Sequence, residues 1–184
     1  DGFGLGVIAR DERTSRAYRE VVTPLGGRAA TARIWANGTP VSVAEAVCAN
    51  AIAAHGHFHD DSEYSSWTHP GSLIIPVAVS LGEATGADVG RVLRAIVSGY
   101  ASVNWLGAEE EVARALIGRG VRTSPTLGRI GAAATAATLL GLEERQATNA
   151  IGIATSITGG LLEPVRTGSD EWRLQNAHAA QGGL

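Results

Sequence analysis

The sequence predicts an all-α domain, on three observations. From residue 42 onward, apolar side chains recur at helical spacing. No strand–helix alternation points to a parallel sheet. Small residues, 24 glycines among them, are abundant, while aromatic residues make up only 5% of the chain. A core built from such side chains suits closely approaching helices. With 184 residues, the chain is long enough for one well-packed domain and short for two.

The first forty residues carry mixed signals. A helix is expected near Arg13–Val22 and a short extended piece near Thr31–Trp35. Ser42-Val-Ala-Glu45 has capping-box spacing, with serine at the N-cap and glutamate three residues on, so a helix begins there. Val43, Val47, Ala51, Ala54 and Phe58 recur every three or four residues and form its buried face. His55 and His59 flank that face, one turn apart if the helix extends that far. The polar stretch from Asp60 to Gly71 ends in His-Pro-Gly and is a loop. Leu73–Glu83 follows as a helix with Pro76 near its first turn, where proline is tolerated. Asp88–Trp105 is a helix capped by Asp88, and Glu109–Ile117 is another. The Gly118-Arg-Gly120 loop leads to Leu127–Leu140, whose Gly128, Gly131 and alanines permit close helix contact. Glu143–Ile157 and Glu171–Ala180 complete the helices.

Composition excludes several function classes. Fifteen basic and 18 acidic residues are interspersed, for a net charge of −3, so no basic stripe marks a nucleic-acid partner. Every basic residue among Lys and Arg is Arg, which rules out lysine chemistry within this chain. No apolar run approaches the roughly 20 residues of a membrane helix. The single Cys48 reads as a buried apolar residue and points to a reducing compartment. A soluble, cytoplasmic protein is expected. No Met occurs, even at position 1, so the chain is read as part of a longer product.

Chemistry concentrates in His55-Gly-His57-Phe-His59-Asp60-Asp61, followed by Ser62 and His69-Pro70. Zinc sites use related strings, but here the string follows a helical stripe, and Gly56 stands where a His-Glu-x-x-His motif has its glutamate. Acid/base use without a metal is the preferred reading. A solvated helix end with one core histidine is the plainer alternative. His69 is of most interest, because Pro70 restricts its backbone; a turn histidine bonded to local backbone is its plainer reading. Arg119 and Arg122, in a loop that runs into a helix N-terminus, are candidates to hold a carboxylate. Ordinary surface arginines are the alternative there.

Asn50-Ala-x-Ala-Ala-His55, Asp60-Asp61-Ser62, His69-Pro70-Gly71 and Pro76-Val-Ala occur in an order that resembles the MmgE/PrpD family. Further matches continue the series: Ser98-Gly-Tyr100, Gly120-Val-Arg122, Gly128-x-x-Gly131, Leu139-Leu-Gly-Leu142, Asn149-Ala-Ile-Gly-Ile-Ala154, Gly160-Leu-Leu-Glu163 and Arg173-Leu. That family includes 2-methylcitrate dehydratase, cis-aconitate decarboxylase and iminodisuccinate epimerase. The resemblance implies a large helical domain spanning residues 1–184, incomplete relative to the family and without its smaller α+β domain. It also implies homodimers and cofactor-independent proton chemistry on small carboxylates.

The chain departs from the family pattern at four positions. An aspartate usual in the family falls on Phe58, a loop histidine on Arg122, a lysine on Trp172 and a further histidine on Gln175. His69 remains, with Asp60, Asp61 and Ser62 beside it. The resulting expectation is a lyase- or isomerase-type enzyme needing neither metal nor cofactor. In it His69 moves the proton, Asp60 or Asp61 orients it, and Arg122, with Arg119, binds a substrate carboxylate. Two alternatives stand beside it. Phe58 and Trp172 line a pocket for a redirected, less charged specialised metabolite, or the domain is a non-catalytic binding or dimerisation scaffold.

Overall fold

The computed structural model describes residues 1–25 and 30–184. Among these residues the chain forms ten α-helices and one two-stranded sheet. The helices are α1 (Gly2–Ile8), α2 (Arg13–Val22), α3 (Val43–His55), α4 (Gly71–Thr85), α5 (Val89–Leu106), α6 (Glu110–Gly118), α7 (Thr123–Leu140), α8 (Glu144–Thr155), α9 (Glu163–Thr167) and α10 (Glu171–Gln181). Strands β1 (Ala32–Arg33) and β2 (Pro40–Val41) pair antiparallel, with Ala32 opposite Val41. The all-α expectation holds, and the expected extended piece around Thr31–Trp35 is the first strand of this hairpin.

Two helices form the centre. α3 packs against α1, α4 and α10, and α7 packs against α4, α5, α8 and α10. Both are small-residued and buried on nearly every side: Ala46 through His55 of α3 are all buried. The stripe read from sequence captured only one face of α3, because a helix surrounded by others needs no polar face. The capping box at its start is present, with Ser42 Oγ accepting from the Glu45 N–H and the Glu45 carboxylate accepting from the Ser42 N–H. α5 and α7 meet through Gly99 and Gly131. A methyl group on Gly131 would lie 2.5 Å from Val103 Cγ2 and 3.0 Å from the Gly99 carbonyl, so the helices approach as closely as their backbones allow.

Three boundaries differ from expectation in ways that bear on the site. α3 stops at His55, so Phe58 and His59 lie beyond it; Phe58 has φ of 58°, outside helical space. α7 begins four residues earlier than Leu127, at Thr123. α4 begins at Gly71, which puts Pro76 in its second turn. α1 and α9, both short, carry too little periodicity to be read from sequence.

A buried asparagine ties the hairpin to the helices. Asn50 on α3 accepts from the Trp35 N–H (2.9 Å) and donates to the Arg33 carbonyl (3.1 Å) and to Ser80 Oγ on α4 (3.2 Å). This satisfies a polar side chain that would otherwise be costly inside an apolar core.

Candidate active site

The loop between α3 and α4 folds back on itself and is fastened at both ends. Glu63 and Thr68 exchange backbone hydrogen bonds, and the Glu63 carboxylate accepts from the Ser65 and Ser66 N–H groups. Asp61 braces the loop against two helices. Its Oδ1 accepts from the Gly71 N–H at the start of α4 (2.9 Å), and its Oδ2 accepts from the Tyr100 hydroxyl of α5 (2.8 Å). Burial, reinforced by the Asp61 charge, pushes the Tyr100 phenol up, so it remains a donor. Gly71 is required there: a side-chain methyl would collide with Asp61 Oδ1 and reach within 2.7 Å of the Tyr100 oxygen. α7 holds the loop from the other side. The Thr123 hydroxyl donates to the Trp67 carbonyl, and Ser124 Oγ accepts from the His69 N–H (3.0 Å).

These fastenings set His69 in one orientation. Its Nδ1 lies 3.0 Å from the Asp61 carbonyl and 3.4 Å from Ser62 Oγ. A carbonyl only accepts, so Nδ1 carries the proton and the neutral ring keeps its lone pair on Nε2. Among the described residues Nε2 has no hydrogen-bond partner, and it is not one of the fully buried polar atoms. The His69 carbonyl is held by the Ser72 hydroxyl (2.8 Å), which in turn accepts from Asn176 of α10 (3.0 Å).

Behind His69 lies a buried charged group. Asp60 Oδ2 is 2.8 Å from His55 Nδ1, and its Oδ1 is 3.7 Å from His69 Nδ1. His55 Nε2 lies 2.6 Å from Arg122 Nη2, and Arg122 Nη1 also donates to the Trp172 carbonyl and approaches Gln175 Oε1 (3.4 Å). Burial lowers His55 to about 4, against the opposing pull of Asp60. Burial likewise brings Arg122 down to about 10, again opposed by Asp60, so it stays charged near neutrality. For Asp60, burial favours the protonated form, but the His55 hydrogen bond, the electrostatic influence of the His55 and His69 rings and the nearby Ser72 hydroxyl outweigh it, and the carboxyl sits below its ordinary range.

An aromatic wall completes the cluster. Phe58 packs 4.6 Å from the His69 ring and 5.0 Å, edge on, from Trp172. Trp172 also meets the His55 ring edge on at 4.8 Å and lies under the Arg173 guanidinium at 4.1 Å. Phe58 is 44% exposed and forms the outer face of this wall, while Trp172 is buried behind it.

The structure therefore brings together His69, Asp60, Asp61, Ser62, Phe58, Arg122 and Trp172. It treats them differently from the sequence-based expectation in two respects. Asp61 has both oxygens occupied by Gly71 and Tyr100. Arg122 is buried and directs its guanidinium inward to His55 and Trp172. Arg119 stays exposed at the end of α6 and, among the described residues, bonds to none of this cluster. His57 and His59 are exposed, 6.1 Å apart between ring centres. Among the described residues, no three His, Cys, Asp or Glu side chains converge as metal ligands. Ser124, Tyr100, Ser72 and Asn176 were not anticipated. Their long-range partners are 39 to 104 residues away, and the Ser72–His69 bond rests on loop geometry, so no local motif links them. The four positions expected from sequence to depart from the family pattern form a chain of contacts beside His55 and His69: Phe58 meets Trp172, whose carbonyl accepts from Arg122, which approaches Gln175.

The architecture is that of a helical domain with a histidine–carboxylate cluster where α3, α4, α7 and α10 meet. The chain belongs to the MmgE/PrpD family: residues 1–184 match the MmgE/PrpD N-terminal domain. It is similar to the cis-aconitate decarboxylase-like protein oryM of Aspergillus oryzae, with 30% identity over 135 residues. That alignment covers 68% of this chain and 27% of the relative, so the chain spans only about a quarter of the protein it matches. Among the described residues, no helix is long and apolar enough to cross a membrane.

Proposed function

We propose that this domain carries the proton-transferring half of a lyase- or isomerase-type enzyme acting on a small carboxylated molecule without a cofactor. The observation that carries the reading is the placement of His69 Nδ1 3.0 Å from the Asp61 carbonyl, a group that only accepts, while Nε2 is free of partners among the described residues. An imidazole held this way is suited to take a proton from a carbon beside a carboxylate or to return it to the product. Asp60, 3.7 Å away, stabilises the ring when it becomes charged. Because Arg122 is turned inward, a substrate carboxylate is met instead by the N-terminal end of α7, whose Ser124 reaches His69; the N-terminal end of α4 is already occupied by Asp61. Similarity to a cis-aconitate decarboxylase-like protein supports carboxylate chemistry.

In the same reading, residues 1–184 form one helical domain that works with a further α+β domain, as a cytoplasmic homodimer. Family resemblance supports the partner domain and the dimer, and the buried unpaired Cys48 suits a reducing compartment. Light scattering on the intact protein checks the dimer.

A second reading is favoured by one observation: the four departures from the family pattern adjoin one another at the site. Phe58, backed by the buried Trp172, offers an aromatic surface where charged groups are usual, which suits a substrate with a flat or apolar part beside its acidic C–H bond. One experiment tests both. The intact protein is incubated in D₂O with cis-aconitate, and separately with mono-carboxylates bearing an unsaturated or aromatic group. Proton NMR follows deuterium entry and product formation. Exchange that disappears in His69→Ala supports the proton-transfer role, and the acid that exchanges fastest chooses between the readings. Exchange unchanged in His69→Ala contradicts both, and no exchange on any acid supports the scaffold alternative.

A further inference from the structure

We propose that His55 is a positioning residue for His69: fixed by Arg122 as a neutral ring protonated on Nδ1, it holds one oxygen of Asp60 so that the other faces His69. The proposal rests on His69 being the proton-transferring group.

The argument begins with donors and acceptors. A guanidinium only donates, so the 2.6 Å contact from Arg122 Nη2 requires the lone pair of His55 on Nε2. The ring proton must then sit on Nδ1, where it is donated to Asp60 Oδ2 at 2.8 Å. The opposite tautomer would set two donors against each other at Nε2 and leave Nδ1 facing Asp60 as lone pair against carboxylate. Ring rotation is opposed by packing, because His55 is fully buried and wedged against Trp172 and Phe58. The charged and titratable groups facing it are Asp60, His69 and Arg122, with Arg173 beyond the Trp172 ring.

With Oδ2 occupied, Asp60 cannot turn freely. Its Oδ1 is buried and lacks a hydrogen-bond partner among the described residues, because the nearby Ser72 hydroxyl donates to the His69 carbonyl instead. A carboxylate oxygen left so is unfavourable in the resting protein. It gains a counterpart when His69 Nε2 accepts a proton from substrate, since positive charge then appears on the ring 3.7 Å away. No proton passes through the chain: Asp60 remains a carboxylate, His55 keeps its Nδ1 proton, and the imidazolium forms on His69 alone. The unsatisfied oxygen is thus preorganised for the charged state of the reaction.

The test uses protein labelled with ¹⁵N-histidine, without substrate. His55 is expected to show a protonated Nδ1 and bare Nε2 and to stay neutral from pH 8 down to pH 5. The ring resonances of His69 are expected to move in His55→Leu and to return toward their native positions in His55→Asn, whose amide keeps a donor close to the Nδ1 position. In turnover, His55→Leu should lower kcat by roughly 10- to 100-fold with KM little changed, and add little on an Asp60→Asn background. A His55 protonated on Nε2, or charged at pH 7, overturns the proposal, as do His69 resonances identical in all three proteins. The tautomer is read in the native protein, so it stands even if His55→Leu fails to fold. A correct tautomer and coupling with no turnover on any carboxylate would instead tell against the His69 assignment alone.

Discussion

The inner and outer sides of the loop from Gly56 to Pro70 are built on opposite principles. Inside, His55, Asp60 and Arg122 are buried and bonded to one another, with Ser72 and Asn176 linked beside them. Outside, Phe58, Ser62, Tyr64 and Trp67 are exposed, and Phe58 and Trp67 both hold positive φ angles of 58° and 52°. The inner side fixes protonation states and positions. The outer side holds backbone that most residues avoid, stabilised by what surrounds it. His69 sits between them, its Nδ1–H bonded to the Asp61 carbonyl with the inner Asp60 carboxylate 3.7 Å away, and its Nε2 unpartnered among the described residues. The contrast teaches that the charged residues most visible in the sequence are largely committed to one another inside, while the outer face of the loop carries the exposed rings of Phe58, Tyr64 and Trp67.

The strongest way to break this contrast is His69→Ala. Turnover should fall by about 10²- to 10⁴-fold, the usual contribution of a positioned acid or base, while thermal melting stays close to native. A large drop in melting temperature would place His69 with the inner, structural side.

Acid titration probes the inner side. Below its ordinary value of 6.5, His55 takes up a proton in the unfolded chain but resists it in the folded protein until about pH 4. The unfolded state therefore binds more protons in that window, and stability falls as pH drops through it, by up to ~3 kcal/mol. Asp60, held below the ordinary carboxylate range, adds to the loss at the acid end. Urea denaturation from pH 7 to pH 4 measures the slope, which should shrink in His55→Leu.

Gly71→Ala tests the bracket joining the two sides. Its methyl group would collide with Asp61 and crowd Tyr100, which should destabilise the protein by about 1–3 kcal/mol and lower turnover by displacing the Asp61 carbonyl. Tyr100→Phe is milder, because Asp61 keeps its bond from Gly71; a loss of ~1 kcal/mol is expected in the same denaturation assay. Phe58→Gly should have the smallest effect on stability. Relief of the left-handed backbone, worth roughly 1–2 kcal/mol, offsets the lost ring contacts, while KM changes because the aromatic wall is gone. A loss well above that range would mean that Phe58 belongs to the core.

Much of the fold was legible because helices announce themselves locally. The Ser42–Glu45 capping box, the Asp88 cap and the small-residue run of α7 each sit within a few residues of what they control. The end of α3 was harder to place: Phe58 continues the apolar spacing, yet the chain leaves the helix after His55. In the site, the sequence drew attention to His69, Asp60 and Asp61, which the structure does gather. It gave no sign that Asp61 would be bound by Tyr100, 39 residues away. Nor did it reveal that Arg122 would turn toward His55, 67 residues away, rather than to solvent. Residue type suggests which chemistry is possible, but direction and burial are set by tertiary packing. His55 illustrates this: the sequence offered it as one member of a polar string, and packing makes it the buried member.

The central claim is that His69 presents a reactive, accessible Nε2 while His55 is sealed and already occupied. Its most direct test is diethylpyrocarbonate modification of the native protein, mapped histidine by histidine by mass spectrometry. The account predicts that His69 is modified, that activity is lost in step with it, that a bound carboxylate substrate protects it, and that His55 stays unmodified until the protein unfolds. Modification of His55 in the folded protein as fast as His69, or full activity with His69 modified, would contradict it.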